Sequence, residues 1–432
     1  MSADAIDAAA LVKSDRVHRR VYQDPAIFEL EIERIFGRAW VYVGHVSQIP
    51  RDGDFVTTFI GREPVLFCRD SDGEVHVLRN RCPHRGAAVC NLPAGNTGRW
   101  FRCPYHGWTF QTDGRLHAVP VRNGYSPDFP LDPVEYGLAH VPRVAQYEGF
   151  TFASLAHDGA PFDLPPEMRA CIDSMIERAP DKAIEVSGGV HKYQFRGNWK
   201  AQIENALDHY HPPFTHESTA ADDGRQFVRR AGEPAGSPIV DRKARSRSRW
   251  DDAEAFAFSG GHGYEGPMPG AEAARGGEVF ELYKAALLRS NPPARVEEIL
   301  ENELFHNAVF YPNMNLQLRA LYVRVVRPVT VDFSEVNVYP IRLKGAPEEM
   351  FHSQIRFLNL THAAASLIQT DDVEMFRRIE VGLRNEAPEW VLLARGLDSE
   401  HVHGSGLSCD GTGELAMRNQ FKAWARYMVG EA

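Results

Sequence analysis

Cys82-Pro83-His84-Arg85-Gly86 and Cys103-Pro104-Tyr105-His106-Gly107-Trp108, with 18 residues between His84 and Cys103, decide how the chain is read. Each cluster supplies one thiolate and one imidazole. A [2Fe–2S] cluster with mixed ligands takes two Cys on one iron and two His on the other, and the neutral imidazoles raise its reduction potential. Zinc is the alternative, because Cys₂His₂ also suits a structural zinc site. Zinc fingers, however, keep their Cys together and their His together, whereas each loop here mixes one of each. Either half alone is a weak signal. The pair, followed by Gly86 and Gly107, is a strong one.

A chain of 432 residues is too long for such a small metal domain alone and can bury at least two cores. Its composition, 43% hydrophobic and 25% charged, is that of an ordinary globular protein. The net charge of −10 argues against a general nucleic-acid binder and names no other partner. No apolar run approaches membrane-spanning length, and Met1 to Arg16 lacks a signal peptide's apolar segment, so no membrane association is expected. The six cysteines, Cys68, Cys82, Cys90, Cys103, Cys171 and Cys409, show no disulfide-framework spacing, which makes a reducing cytoplasm the expected compartment.

Asp24-Pro25 opens a helix whose buried face carries Phe28, Ile32, Ile35 and Phe36. Beyond His45 the period shortens. Asp54 to Ile60, Val65 to Cys68 and Val75 to Leu78 read as strands, with turns at Asp72-Gly73 and Asp113-Gly114. Pro161, Pro165 and Pro166 mark a crossing into a second domain. There, Ala183 to Phe195 reads as a strand and Asn198 to His211 as a helix that Pro212-Pro213 must end. Residues 217 to 277 show little periodicity, and their basic run Arg242 to Arg249 reads as a solvated loop or, alternatively, a lid. Two amphipathic helices follow, around Val279–Leu287 and Val296–Leu300, then strands at Asn307–Tyr311, Leu316–Val326 and Glu335–Ile341. A long helical segment spans Pro347 to Leu383 with a break near Thr370. The last helix buries Met417, Phe421, Trp424 and Met428.

A second metal site is written in the segment from Asn198 to His216. Asp208 and His211 are three apart, so one helix face presents both, and the Pro-Pro bend lets His216 return toward His211. Two imidazoles and one carboxylate on Fe(II) leave positions open for O₂ and substrate. Capping residues beside a Pro-Pro turn are the plain alternative.

The clusters C-P-H-R-G and C-P-Y-H-G-W match the Rieske family residue for residue. With Asn198-Trp199-Lys200, Glu204-Asn205, Asp208 to His216 and the pair Asp371-Asp372, the chain resembles the large (α) subunit of a Rieske non-haem iron aromatic-ring-hydroxylating oxygenase over nearly its whole length. The resemblance implies an α+β fold: a small antiparallel β Rieske domain inserted before a helix-grip (START-like) catalytic domain of antiparallel sheet and helices. The expected boundaries are 1–44 for an N-terminal helical segment packed on the catalytic domain, 45–155 for the Rieske domain and 156–432 for the catalytic domain.

It further implies that Cys82, His84, Cys103 and His106 hold a [2Fe–2S] cluster and that His211, His216 and Asp372 hold mononuclear Fe(II). Asp371 is the alternative to Asp372, because neighbours on a helix point about 100° apart. Asp208 takes the place of the carboxylate that bridges His211 to a Rieske histidine, His106, of the neighbouring subunit in a trimer. Asn205 lies close beneath the iron.

The implied reaction is O₂ insertion into an aromatic substrate, with electrons from NAD(P)H through a separate reductase and possibly a ferredoxin. An α trimer alone and an α₃β₃ assembly with a small β subunit are the two alternatives. The C-terminal pattern His403 to Gly413 resembles that of family members acting on aromatic carboxylates rather than on naphthalene-like hydrocarbons. For a carboxylate, Arg324 and Arg418 are candidate anchors and Ile368 a candidate ring contact, with structural ion pairing the alternative for both arginines. Single hydroxylation or demethylation on the same two metal sites is a competing chemistry. A START-like binding protein with a purely electron-carrying cluster is a competing class, disfavoured by the three convergent iron ligands.

Overall fold

The computed structural model describes residues 7–186, 189–216, 253–269 and 277–431; the basic run Arg242 to Arg249 lies outside the described residues. The chain divides into two compact units, Ile32–Phe162 and a second formed by residues up to Glu31 together with those from Asp163 onward.

In the smaller unit, Asp54–Ile60, Glu63–Arg69 and Val75–Arg79 form successive antiparallel pairs, with Ala94–Asn96 beside the first. The turn after Asp72 places Gly73 at φ 83°, which a residue without a Cβ adopts freely. A second sheet is the meander Trp100–Arg102, Thr109–Gln111, Leu116–Ala118. A third joins Val41–His45 to Phe150–Ser154 and Arg143–Tyr147. Residues 41–44, expected in the N-terminal helical segment, instead form the strand Val41–His45 and fall in this β unit. The core gathers Phe55, Leu66, Leu78, Phe101, Trp108 and Phe110 around Cys82 and Cys103, so both thiols point inward at the base of their loops.

The larger unit is built on a ten-stranded antiparallel sheet. Its path runs from Ile184–Val186 through Phe333–Leu343, Tyr322–Thr330, Met314–Gln317, Asn307–Phe310, Gly263–Gly266, Glu254–Ala257 and Gly406–Asp410 to His401–His403. Ile184–Val186 and His191–Arg196 lie along the same edge of Phe333–Leu343, so the single strand expected over Ala183–Phe195 is two. The strand expected over Leu316–Val326 is likewise split. The Gln317 side chain accepts the backbone N–H of Ala320, and Leu321 turns at φ 49°. Met417, Phe421, Trp424 and Met428 are all buried on the Leu415–Val429 helix. At the other end, Asp24 Oδ1 accepts the N–H of Ala26 at 2.9 Å and Pro25 opens the Pro25–Glu31 helix. No described helix is long and apolar enough to cross a membrane.

The helix expected from Asn198 to His211 is shorter. It runs Trp199–Asn205, and Pro212 and Pro213 begin a separate turn, Pro212–Thr215, rather than ending it. Asp208 is the physical reason. Its Oδ1 accepts the N–H of Tyr210 at 2.8 Å and of His211 at 3.3 Å, a local closure that competes with helical pairing. Asp208 and His211 are brought together by that turn and not by a shared helix face. The break expected near Thr370 spans the gap between Glu348–Thr361 and Gln369–Gly382.

Candidate metal centres

The two clusters in the β unit fold alike. In the first, Gly86 N–H donates to Cys82 O at 2.9 Å; in the second, Gly107 N–H donates to Cys103 O at 3.1 Å. Gly86 and Gly107 sit at φ 77° and 71°, which closes each turn below its imidazole. The rings of His84 and His106 face each other with centroids 4.6 Å apart, and Trp108 lies parallel to His84 at 5.1 Å. Arg85 lies over the Tyr105 ring at 5.7 Å. Cys82 and Cys103 are buried, while His106 is exposed. Burial, joined by the neighbouring Cys103, pushes the Cys82 thiol up to about 11, so its thiolate form here requires a cationic partner. Two inward thiols and two outward imidazoles fit a cluster with one iron toward the core and one toward solvent.

In the larger unit, His211, His216 and Asp372 each offer a donor atom, and these atoms lie within 4.8 Å of one another. Asp372 Oδ1 stands 3.5 Å from His211 Nε2 and 3.2 Å from His216 Nε2. Each imidazole has a carboxylate at its other nitrogen. His211 Nδ1 lies 3.4 Å from Asp208 Oδ2, and His216 Nδ1 lies 3.4 Å from Asp371 Oδ2. Asp371 is thus placed behind His216, and Asp372 faces the convergence. Burial opposes ionisation of Asp372, yet the hydrogen bond to His216 and the charges of His211, His216 and Arg324 keep its pKa below the usual value. Burial likewise opposes protonation of His216, and Asp372 and Asp371 outweigh it and raise its pKa. Three donors converging on one buried point, with carboxylates that favour positive charge between them, fit a divalent cation that takes the place of the imidazole proton.

Asn205 Nδ2 is 3.2 Å from His211 Nε2 and 3.2 Å from Asp372 Oδ1, directly against the three donors. Its Oδ1 receives Gln202 Nε2 at 3.4 Å, and Gln202 Oε1 accepts the Tyr193 hydroxyl at 2.6 Å. Ile368 is half-buried one turn before Asp372, and its carbonyl accepts the N–H groups of Asp371 and Asp372. Arg324 is buried beside Gln369. Arg418 takes the structural alternative: it donates to Glu400 Oε1 at 2.6 and 2.8 Å and to the carbonyls of Leu393 and Arg395, so it is not a free anchor.

Sequence reasoning missed what carries the Trp199–Asn205 helix. Glu31, fully buried, accepts Lys200 Nζ at 2.5 Å, Trp199 Nε1 at 2.8 Å and Trp424 Nε1 at 2.6 Å. Asn198 caps the helix through Lys200 N and ties it to the carbonyls of Tyr22 and Val331. The available signal was position, because Glu31 falls three after Phe28 on the apolar face of its helix. Glu31→Ala should cost about 3–5 kcal/mol, the usual consequence of leaving a buried ammonium without its carboxylate. Urea unfolding followed by tryptophan fluorescence measures it, and an unshifted midpoint would show that the network does not hold the helix.

Residues 39–142 match the Rieske [2Fe-2S] domain, and residues 184–431 match the ring hydroxylating alpha subunit catalytic domain. Toluate 1,2-dioxygenase subunit alpha of Pseudomonas putida is 32% identical over 432 aligned residues, covering 96% of this chain and 91% of that one. Anthranilate 1,2-dioxygenase large subunit of Acinetobacter baylyi is 33% identical over 388, covering 88% and 80%. Naphthalene 1,2-dioxygenase with indole bound superposes with a TM-score of 0.81 over 100% of this chain and 96% of that chain, at 22% identity, a likeness of fold. Carrying a Rieske [2Fe–2S] domain and a mononuclear-iron catalytic domain on one polypeptide, the chain belongs to the alpha subunits of the Rieske aromatic-ring-hydroxylating dioxygenases.

Proposed function

We propose that this subunit is the terminal oxygenase for an aromatic carboxylate, with Cys82, His84, Cys103 and His106 holding the cluster and His211, His216 and Asp372 holding Fe(II). When bound, the cluster passes electrons singly and the mononuclear iron activates O₂. The protein's part is positional. Asp208 and Asp371 orient the two imidazoles from behind, so that both present Nε2 to the metal. Asn205 crowds the same point from the Trp199–Asn205 helix, and Ile368 offers an apolar edge for the ring.

The observation that carries this reading is the convergence of three donors with an outer carboxylate on each imidazole. The substrate class is supported by two relatives whose names specify toluate and anthranilate, both aromatic carboxylates. In this proposal electrons come from NAD(P)H through a separate reductase, with or without a ferredoxin, and the cluster of a neighbouring subunit serves each iron in a trimer, alone or with a small β subunit. The proposed compartment is the cytoplasm, which suits six cysteines that form no disulfide.

A panel of benzoates and neutral arenes, scored for substrate-dependent O₂ uptake, tests the assignment. Benzoates should be consumed with both atoms of labelled O₂ appearing in a cis-dihydrodiol. Product carrying a single labelled oxygen would favour monooxygenation or demethylation instead.

A further inference from the structure

Arg324 is a buried guanidinium, 4% exposed, on the strand Tyr322–Thr330. Among the described residues its only hydrogen bond runs from Nη2 to Gln369 Oε1 at 2.8 Å, and its Nε has no partner. No carboxylate of the described residues comes within 4.0 Å of it. Asp372, whose charge acts on it, is already engaged by His211, His216 and Asn205. A buried cation without a counter-ion is costly unless something else supplies the charge.

Its surroundings restrict what that partner is. Gln369 is fully buried, spends Oε1 on Arg324 and, among the described residues, leaves Nε2 without a partner. Two buried N–H donors, Arg324 Nε and Gln369 Nε2, thus belong to one hydrogen-bonded pair and both lack an acceptor. The Tyr322 ring lies 5.1 Å beneath the guanidinium and fixes its plane. Gln369 begins the Gln369–Gly382 helix and stands three residues before Asp372, which ties the pair to the candidate iron centre. A planar guanidinium with an adjacent amide donor suits a planar anion with two acceptor oxygens.

We infer that Arg324, held by Gln369 and Tyr322, anchors the carboxylate of the substrate and so sets the ring's position against the iron centre. The inference rests on the aromatic-carboxylate reading above. It makes Arg324 a specificity residue, because a neutral arene leaves the guanidinium and both donors unanswered.

The test uses the complete oxygenase with both metals loaded. Binding of benzoate and of nitrobenzene, its uncharged counterpart of the same shape, is measured by equilibrium dialysis, and KM by coupled O₂ uptake. Wild-type enzyme should prefer benzoate. Arg324→Gln should reduce the benzoate-to-nitrobenzene preference by about tenfold or more, the size of a lost charge-assisted bond, and Arg324→Lys should restore part of it. Equal loss for both ligands, accompanied by loss of mononuclear iron, would overturn the inference and make Arg324 a support for Asp372. Wild-type enzyme that takes nitrobenzene and refuses benzoate would overturn the substrate reading itself, before any variant is made. Should Arg324→Gln not fold, Gln369→Leu keeps the guanidinium but removes its fixed partner. A fall in the same preference then supports the anchor, and an unchanged preference refutes it.

Discussion

An Asp372→Ala enzyme is expected to keep its Rieske absorbance and EPR signal, to retain only the iron of the cluster, and to lose nearly all substrate-dependent O₂ uptake. The basis is that, among the described residues, Asp372 Oδ1 is the carboxylate oxygen that faces both His211 Nε2 and His216 Nε2. Removing it leaves two imidazoles and no carboxylate on the metal, a set that binds Fe(II) weakly. Asp371→Ala is the informative companion. That residue sits at His216 Nδ1, 3.4 Å away, and its side chain is 36% exposed against 6% for Asp372. Loss of an outer partner of this kind lowers metal affinity or activity by about 10–100-fold, so Asp371→Ala should keep more iron and more turnover than Asp372→Ala. Iron retained in Asp372→Ala but lost in Asp371→Ala would reverse the two assignments.

The resemblance already put Asp372 ahead of Asp371, and the structure adds a geometric ground for the same order. The Cys and His candidates were legible because metal chemistry restricts donors to a few residue types at short spacings, C-x-H, C-x-x-H and H-x₄-H, whereas Asp372, 156 positions beyond His216, was offered only by the family resemblance. The strands of the β unit were legible for a related reason, since Asp54–Ile60 is rich in β-branched and aromatic residues and is followed by Gly61 in a turn at φ 57°. Contacts between distant segments were not. Nothing local to Glu31 announces that Lys200, Trp199 and Trp424 converge on it from up to 393 positions away.

Short-range competition also defeated the periodic reading. The segment after Asn205 keeps helical spacing, yet Asp208 closes on its own backbone and Pro212 restarts the chain as a new turn. Arg324 and Arg418 looked equivalent as isolated arginines and differ only in context. One is committed to Glu400 and two carbonyls, and the other has a lone amide for company.

The turn built by Asp208 leads to the second large effect. Asp208→Ala should load both metals and yet turn over at least about a hundredfold more slowly, at the upper end of what loss of an outer partner brings. The side chain faces in two directions. Toward the protein, Oδ2 lies 3.4 Å from His211 Nδ1; toward solvent, the group is 29% exposed, so another subunit can reach it. Burial raises its pKa, but the His211 hydrogen bond and charge and the N–H groups of Tyr210 and His211 outweigh that and keep it below the usual value, as an acceptor for two imidazoles requires. Asp208→Asn separates charge from shape, because the amide can still accept one hydrogen bond but cannot respond to the oxidation state of a metal on either side. If Asp208 links the centres, single-turnover oxidation of the reduced cluster in the presence of O₂ and substrate should slow in both variants, more in Ala than in Asn, with mononuclear iron content unchanged. Normal cluster oxidation with reduced iron content would leave Asp208 as a support for His211 alone, and the electrons would have to enter by another route.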